Sequence, residues 1–186
     1  MNEPTYRQMP TIFQFRRLPL LLAAALIVSL SAADAPRPAP VLEVLTVDGQ
    51  PFHLDQYKGK VVVVMFMSTS CPHCHAATQT LNVIHEEAKS RGFEVIGIAT
   101  NANANEEMGT FVKNFAPKFP VALGSRALWA VFGGFSVMAR PPYYPHMLIV
   151  DRKGVIREEH NGVERNYYSY QNLNRIFEKY LAEPAS

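Results

Sequence analysis

Cys71 and Cys74 are the only cysteines in the chain, and they stand as Cys71-Pro72-His73-Cys74. Two cysteines placed at random would fall at this spacing in roughly one case in a hundred, so the spacing carries information. Three chemistries use such a pair. The first is reversible dithiol/disulfide exchange. The second is metal ligation, for which Cys71, His73, Cys74 and His75 supply soft or borderline ligands. Neighbours on one helical turn cannot all converge on a tetrahedral ion, and a second pair would have to come from His53, His146 or His160, which no spacing advertises. The third is a structural disulfide, whose loop is too short to stabilise much. Exchange chemistry fits best, because the motif lies between an apolar strand and a helix start. There the peptide N–H groups and the helix dipole stabilise an anion, and a protonated His73 adds a second positive charge beside Cys71.

Other reactive side chains are less telling. His75 falls one residue past the motif, on what reads as the solvated side of a helix. His146 follows Pro145 and is a candidate to sit near the sulfurs. Tyr143 and Tyr144 are candidates to line a peptide groove, while Trp129 and Phe132 read as core. Glycine-rich phosphate loops, paired catalytic carboxylates and Ser-His-Asp arrangements do not occur.

Several elements must position these residues. Val61 to Met67 is a continuous apolar run, expected to be a strand buried on both faces. Pro72 suits a first helical turn, Ala77, Leu81, Ile84 and Ala88 follow at helical spacing, and Gly92 is a stop. Phe93 to Ala99 predicts a second strand. Asn105 is expected to cap a helix striped by Met108, Phe111, Val112 and Phe115 and ended by Pro117. Phe119 to Leu123 predicts a short strand, and Ser125 caps a short helix ending at Gly133-Gly134. Met147 to Val150 and Val155 to His160 flank the turn Asp151-Arg152-Lys153-Gly154, and Leu173, Ile176, Phe177 and Tyr180 mark a last helix. Ahead of all these, Val41 to Val47 and Pro51 to Leu54 flank Asp48-Gly49, a hairpin signal. The plan is α/β: a central mixed β-sheet flanked by helices, with an N-terminal β-hairpin extension.

The N-terminus reads differently. Arg16-Arg17, an apolar run from Leu18 to Leu30, and Ser31-Ala32-Ala33 have the layout of an export signal. Residues 1–33 are therefore expected to be a signal peptide or an uncleaved anchor, 34–40 a proline-rich linker, and 41–186 a single domain working outside the cytosol. The formal charge of +2 falls to zero, 15 basic against 15 acidic residues, once Glu3, Arg7, Arg16 and Arg17 are set aside. A neutral domain lacks the basic stripe that nucleic acid requires.

From about Val41 to Leu181 the chain resembles the thioredoxin superfamily and, within it, the TlpA/ResA-like exported thiol–disulfide oxidoreductases. The resemblance is carried by Gly59-Lys60-Val61-Val62-Val63-Val64-Met65-Phe66, by Cys71-Pro72-His73-Cys74, and by Gly92-Phe93-Glu94-Val95-Ile96-Gly97-Ile98. Tyr144-Pro145-His146-Met147-Leu148-Ile149-Val150-Asp151 is similar to the segment holding the family's cis-proline. Three positions depart: Ser70 stands where tryptophan is usual, and Ala77 and Met65 stand where a carboxylate is found in related proteins. The segment from Phe135 to Tyr144 is also longer and more aromatic than usual.

The resemblance implies a thioredoxin fold and a redox-active Cys71–Cys74 disulfide with no dissociable cofactor and no metal. It implies that Cys71 exchanges with substrate and Cys74 resolves the mixed disulfide, with His73 and Pro145 completing the catalytic set. Tyr144, Pro72 and His146 would contact substrate. Protein thiols and disulfides would be the partners, with a membrane redox partner and a monomeric state expected. Two rivals stay open: a copper- or zinc-binding protein on the same fold, and a peroxiredoxin-type peroxidase. The second is disfavoured because Val64 and Ser68 stand where that motif would place proline and threonine.

Overall fold

The computed structural model describes residues 35–163 and 165–184; the candidate export segment, 1–33, lies outside the described residues. The sheet is built around β4 (Val61–Met67), all seven residues of which are buried. Its parallel neighbour is β5 (Phe93–Ala99), paired from Val61↔Phe93 to Met67↔Ala99. On the other side β7 (His146–Val150) runs antiparallel, with Phe66 opposite His146. Adding β6 (Val121–Leu123), β8 (Val155–His160) and β1 (Arg37–Pro38) gives the order β1-β8-β7-β4-β5-β6. The predicted hairpin forms from β2 (Glu43–Leu45) and β3 (Pro51–His53) and joins the sheet edge through a Thr46–Ala122 bridge.

Alternation along β4 sorts the core into two halves. Val61, Val63, Met65 and Met67 face one cluster, to which α1 (Pro72–Ala88), α2 (Ala104–Phe115) and α4 (Tyr170–Leu181) contribute. Val62, Val64 and Phe66 face the other, shared with the hairpin and α3 (Arg126–Gly133). Truncating a fully buried residue such as Phe66 to alanine in such a core costs about 3–5 kcal/mol. The strand that carries the active-site loop is therefore firmly held in this core. Among the described residues, no helix is long and apolar enough to cross a membrane.

Most helix ends follow from chemistry in the sequence. Ser125 and Ser169 accept hydrogen bonds from Leu128 N and Asn172 N, and Gly92 and Gly134 take the left-handed conformation after their helical segments. Two expectations are corrected. The helix that Asn105 was expected to cap is capped by Asn103 and starts at Ala104, with the Asn103 carbonyl accepting from the amides of Glu106 and Glu107 at 3.1 Å. The segment 34–40, expected as a linker, contributes β1 instead. Its Arg37 is buried and ion-paired to Glu159 at 2.7 Å, and Pro38 is tolerated because an edge strand need not use every N–H.

Candidate active site

Parallel β4 and β5 end together, so the loops that leave them meet above the sheet, where open α/β sheets place their sites. The β4 loop is Ser68–Cys71. The register of β7 against β4 puts Tyr144 and Pro145, just before His146, across from the same loop. The Tyr144–Pro145 peptide is cis, as the resemblance implied.

Cys71 is the N-cap of α1 and Pro72 its first residue. The Cys71 thiol faces the amides of His73 and Cys74 without completing a capping hydrogen bond. Its pKa is lowered to about 5, first by the hydrogen bond from the Cys74 thiol, then, against the cost of burial, by those two amides, and least by the charge of His73. Cys74 is fully buried, and desolvation pushes its thiol far upward, with the neighbouring Cys71 adding to the effect. Both cysteines are free thiols here. One sulfur is half-exposed and readily ionised; the other is buried and holds its proton. Pro72 and His73, the two residues after Cys71, are exposed.

The loop before Cys71 is tied down by residues that the sequence did not single out. Asn101, just past the end of β5, accepts from Thr69 N at 3.1 Å and donates to Thr69 Oγ1 at 2.9 Å and to Glu107 at 3.1 Å. Thr69 Oγ1 in turn donates to Glu107. The paired register Met67↔Ala99 brings position 69 close to position 101, and no pattern in the sequence shows that register. His75 was expected in solvent. Its Nε2 instead donates to Thr69 O at 2.7 Å and its ring stacks on Phe115 with centroids 4.0 Å apart, which joins the loop to α2.

His146 was expected near substrate. The structure corrects this: the side chain is 1% exposed, and both ring nitrogens are taken by Trp129 and Glu159. Tyr144 is half-buried, with its hydroxyl on Thr100 Oγ1 at 2.8 Å, and Pro145 is buried with its carbonyl accepting from Tyr168 at 2.7 Å. Met65 and Ala77, at the positions where related proteins carry carboxylates, pack in the same buried cluster as Cys74. Among the described residues, no three His, Cys, Asp or Glu side chains converge as a metal-ligand set.

The family model described as Redoxin matches residues 32–175. The chain belongs to the Redoxin family. This redoxin is 25% identical over 138 residues to the thiol-disulfide oxidoreductase ResA of Bacillus thuringiensis subsp. konkukian, spanning 74% of the redoxin and 76% of that relative. A crystal structure of a thioredoxin-family thiol:disulfide interchange protein from Chlorobium tepidum superposes with a TM-score of 0.67 at 29% identity. It covers 81% of the redoxin and 100% of that chain. A shorter match, 29% over 97 residues and 48% of the redoxin, is to a probable glutathione peroxidase 2 of Arabidopsis thaliana. The redoxin has the thioredoxin fold and is ResA-like, as its sequence segments implied.

Proposed function

We propose that this protein exchanges disulfides with protein thiols outside the cytosol, with Cys71 as nucleophile and Cys74 as resolving group. The observation that carries this reading is the split between the two sulfurs: an accessible thiol with a pKa of about 5 hydrogen-bonded to a buried thiol pushed upward. The Cys71 thiolate attacks a substrate disulfide; a Cys71–substrate bond forms, the substrate S–S bond breaks, and the departing sulfur takes a proton from water. Cys74 then gives up its proton, which passes through water to the departing substrate sulfur, and attacks the Cys71 sulfur. The Cys71–Cys74 disulfide forms, the second substrate thiol leaves, and two electrons have passed to substrate. Run in reverse, the same steps oxidise a substrate dithiol.

His73 lends a charge and an amide to the thiolate. Pro72, Tyr144 and Pro145 frame the approach, leaving the Tyr144 backbone for an extended substrate. The apolar run after Arg16-Arg17 supports export of the domain; as part of the same proposal, the domain acts as a monomer and recovers its redox state from a membrane partner. The redox-active group is the Cys71–Cys74 pair itself, with no further cofactor. A peroxidase of the peroxiredoxin type would need the proline and threonine that Val64 and Ser68 replace.

The test is trapping. Cys74→Ser should accumulate mixed disulfides through Cys71 on non-reducing gels, and Cys71→Ser should not. Adducts on Cys71→Ser alone would reverse the roles, and adducts on neither variant would sink the reading.

A further inference from the structure

Thiol exchange between Cys71, Cys74 and substrate makes no direct use of His146, a buried titratable side chain beside the cis-proline. Trp129 Nε1 donates to its Nδ1 at 2.7 Å, and its Nε2 lies 2.8 Å from Glu159 Oε1. An indole N–H can only donate, so Nδ1 is the bare, accepting nitrogen. The ring proton therefore sits on Nε2 and is donated to Glu159. The other Glu159 oxygen accepts from Arg37 Nη2 at 2.7 Å, and the same nitrogen donates to the Phe132 carbonyl at 3.0 Å. Burial would raise the Glu159 pKa, but the hydrogen bond from His146 and, after it, the hydrogen bond and charge of Arg37 help to hold the pKa below the usual carboxylate value. A hydrogen-bonded chain thus links Arg37, Glu159, His146 and Trp129, from the sheet edge to α3, with the donors converging on the Glu159 carboxylate from both ends.

The end of that chain touches the redox site. The Trp129 indole stacks on the Tyr144 ring, with centroids 4.6 Å apart and planes 18° from parallel. Tyr144 also packs against the cluster that contains Cys74. Burying polar groups here has a desolvation cost that good hydrogen bonds must offset, a cost that a wholly apolar cluster would not carry. Such bonds supply direction: they fix the orientation of each ring along the chain.

We propose that His146, as the neutral Nε2–H tautomer, is a positioning residue that fixes Trp129, and through it Tyr144, as the wall on which a protein disulfide docks before Cys71. The inference rests on the exchange reaction proposed above. It places the effect in docking geometry and not in the charge of the thiolate.

The test compares His146→Leu, which removes both hydrogen bonds, with His146→Gln, which offers an oxygen to the indole and an N–H to the carboxylate. Three quantities are read: the rate of insulin reduction by the reduced protein, the emission of Trp129, which is the only tryptophan, and the Cys71 thiolate midpoint. His146→Leu should slow insulin reduction by about tenfold, the scale of a small misplacement of reacting groups. It should shift Trp129 emission and leave the thiolate midpoint in place, and His146→Gln should restore rate and emission together. A parental rate for His146→Leu overturns the proposal. So does a rate loss accompanied by a moved thiolate midpoint, or a restored emission without a restored rate. If His146→Leu does not fold, Trp129→Phe takes its place: it keeps a ring against Tyr144 and should lose part of the rate, and a parental rate again overturns the proposal. A parent inert toward insulin, with no adduct on Cys74→Ser, sinks the exchange reading and this inference with it. A reactive parent with an equally reactive His146→Leu sinks this inference alone.

Discussion

The carbonyl oxygen of Tyr144 occupies the space where a side chain on residue 162 would begin: a Cβ built on Gly162 would lie 1.9 Å from it. The neighbouring turn is closed by Gly162 N donating to Tyr143 O at 3.0 Å. The chain after β8 thus braces the backbone of the segment that frames the redox site, and glycine is required for contact and not for an unusual φ.

Gly162→Ala should therefore cost about 1–3 kcal/mol, as overpacking does, and slow exchange with protein substrates. Gly109→Ala is the control. It lies inside α2 with nothing within 4 Å of a built Cβ, so it should stabilise by about 0.5–1 kcal/mol through helix propensity alone. Denaturant unfolding of both variants checks this. A Gly162→Ala protein as stable as the parent would show that the brace yields at no cost.

Ultraviolet absorbance of the thiolate should give a Cys71 midpoint near 5, against about 8.5 for a free thiol. The sign of its effect on stability follows. The folded value is depressed, so the reduced fold gains stability as pH rises above the folded midpoint, in full once the unfolded thiol would also ionise. That gain is lost as pH falls toward 5. The oxidised protein has no thiolate and lacks this contribution. Thermal unfolding of both redox forms should thus show the reduced protein losing ground to the oxidised one between about pH 8 and pH 5. Parallel curves over that range would refute the low midpoint.

His73 acts on Cys71 through two separate features, its amide and its ring, and the ring charge is the smaller contribution. His73→Pro removes both, since proline has no N–H; His73→Ala removes only the ring. The thiolate midpoint should rise for both and rise more for His73→Pro. Stabilising the thiolate favours the dithiol over the disulfide, so the parent potential should lie above the approximately −270 mV of thioredoxin, and His73→Pro should lower it furthest. Equilibration in glutathione buffers measures all three proteins. Equal shifts for the two variants would assign the effect to the ring and not to the amide.

Local chemistry made most of the scaffold readable from sequence. The unbroken Val61–Met67 run, the Asp48-Gly49 turn and the Ser125 cap each answer to forces within a few residues, and each appears where expected. Cys71 and Cys74 were readable because their spacing is itself local. What escaped depends on partners far along the chain. Arg37 is buried only because Glu159, 122 residues later, meets it at the sheet edge, so the segment around it read as a linker. His75 read as solvated because Phe115 and the bend of the Thr69 loop are set by packing. His146 has the right neighbour in Pro145, but the side of the strand it faces follows from the β4–β7 register, which one sequence does not show.

Asn101 makes the last test of how the active-site loop is held. Its side chain bonds both to Thr69 and to Glu107, and Thr69 also donates to Glu107, so the loop, the amide and the carboxylate close one hydrogen-bonded triangle. Asn101→Asp keeps an oxygen for the Thr69 amide but sets a second carboxylate against Glu107. Like charges in one site raise the pKa of the pair. The penalty is therefore present at neutral pH, where both are ionised, and is relieved as pH falls and one of them takes a proton. The lost N–H bonds alone should cost about 1–3 kcal/mol, or several degrees in Tm for a chain of this size. The Tm deficit of Asn101→Asp relative to the parent should narrow from pH 7.5 to pH 5, and comparing each variant with the parent at the same pH cancels the change at Cys71. Asn101→Ala, which adds no charge, should show a deficit that does not narrow. If the Asn101→Asp deficit is as large at pH 5 as at pH 7.5, Glu107 does not face position 101 as a charged group in solution.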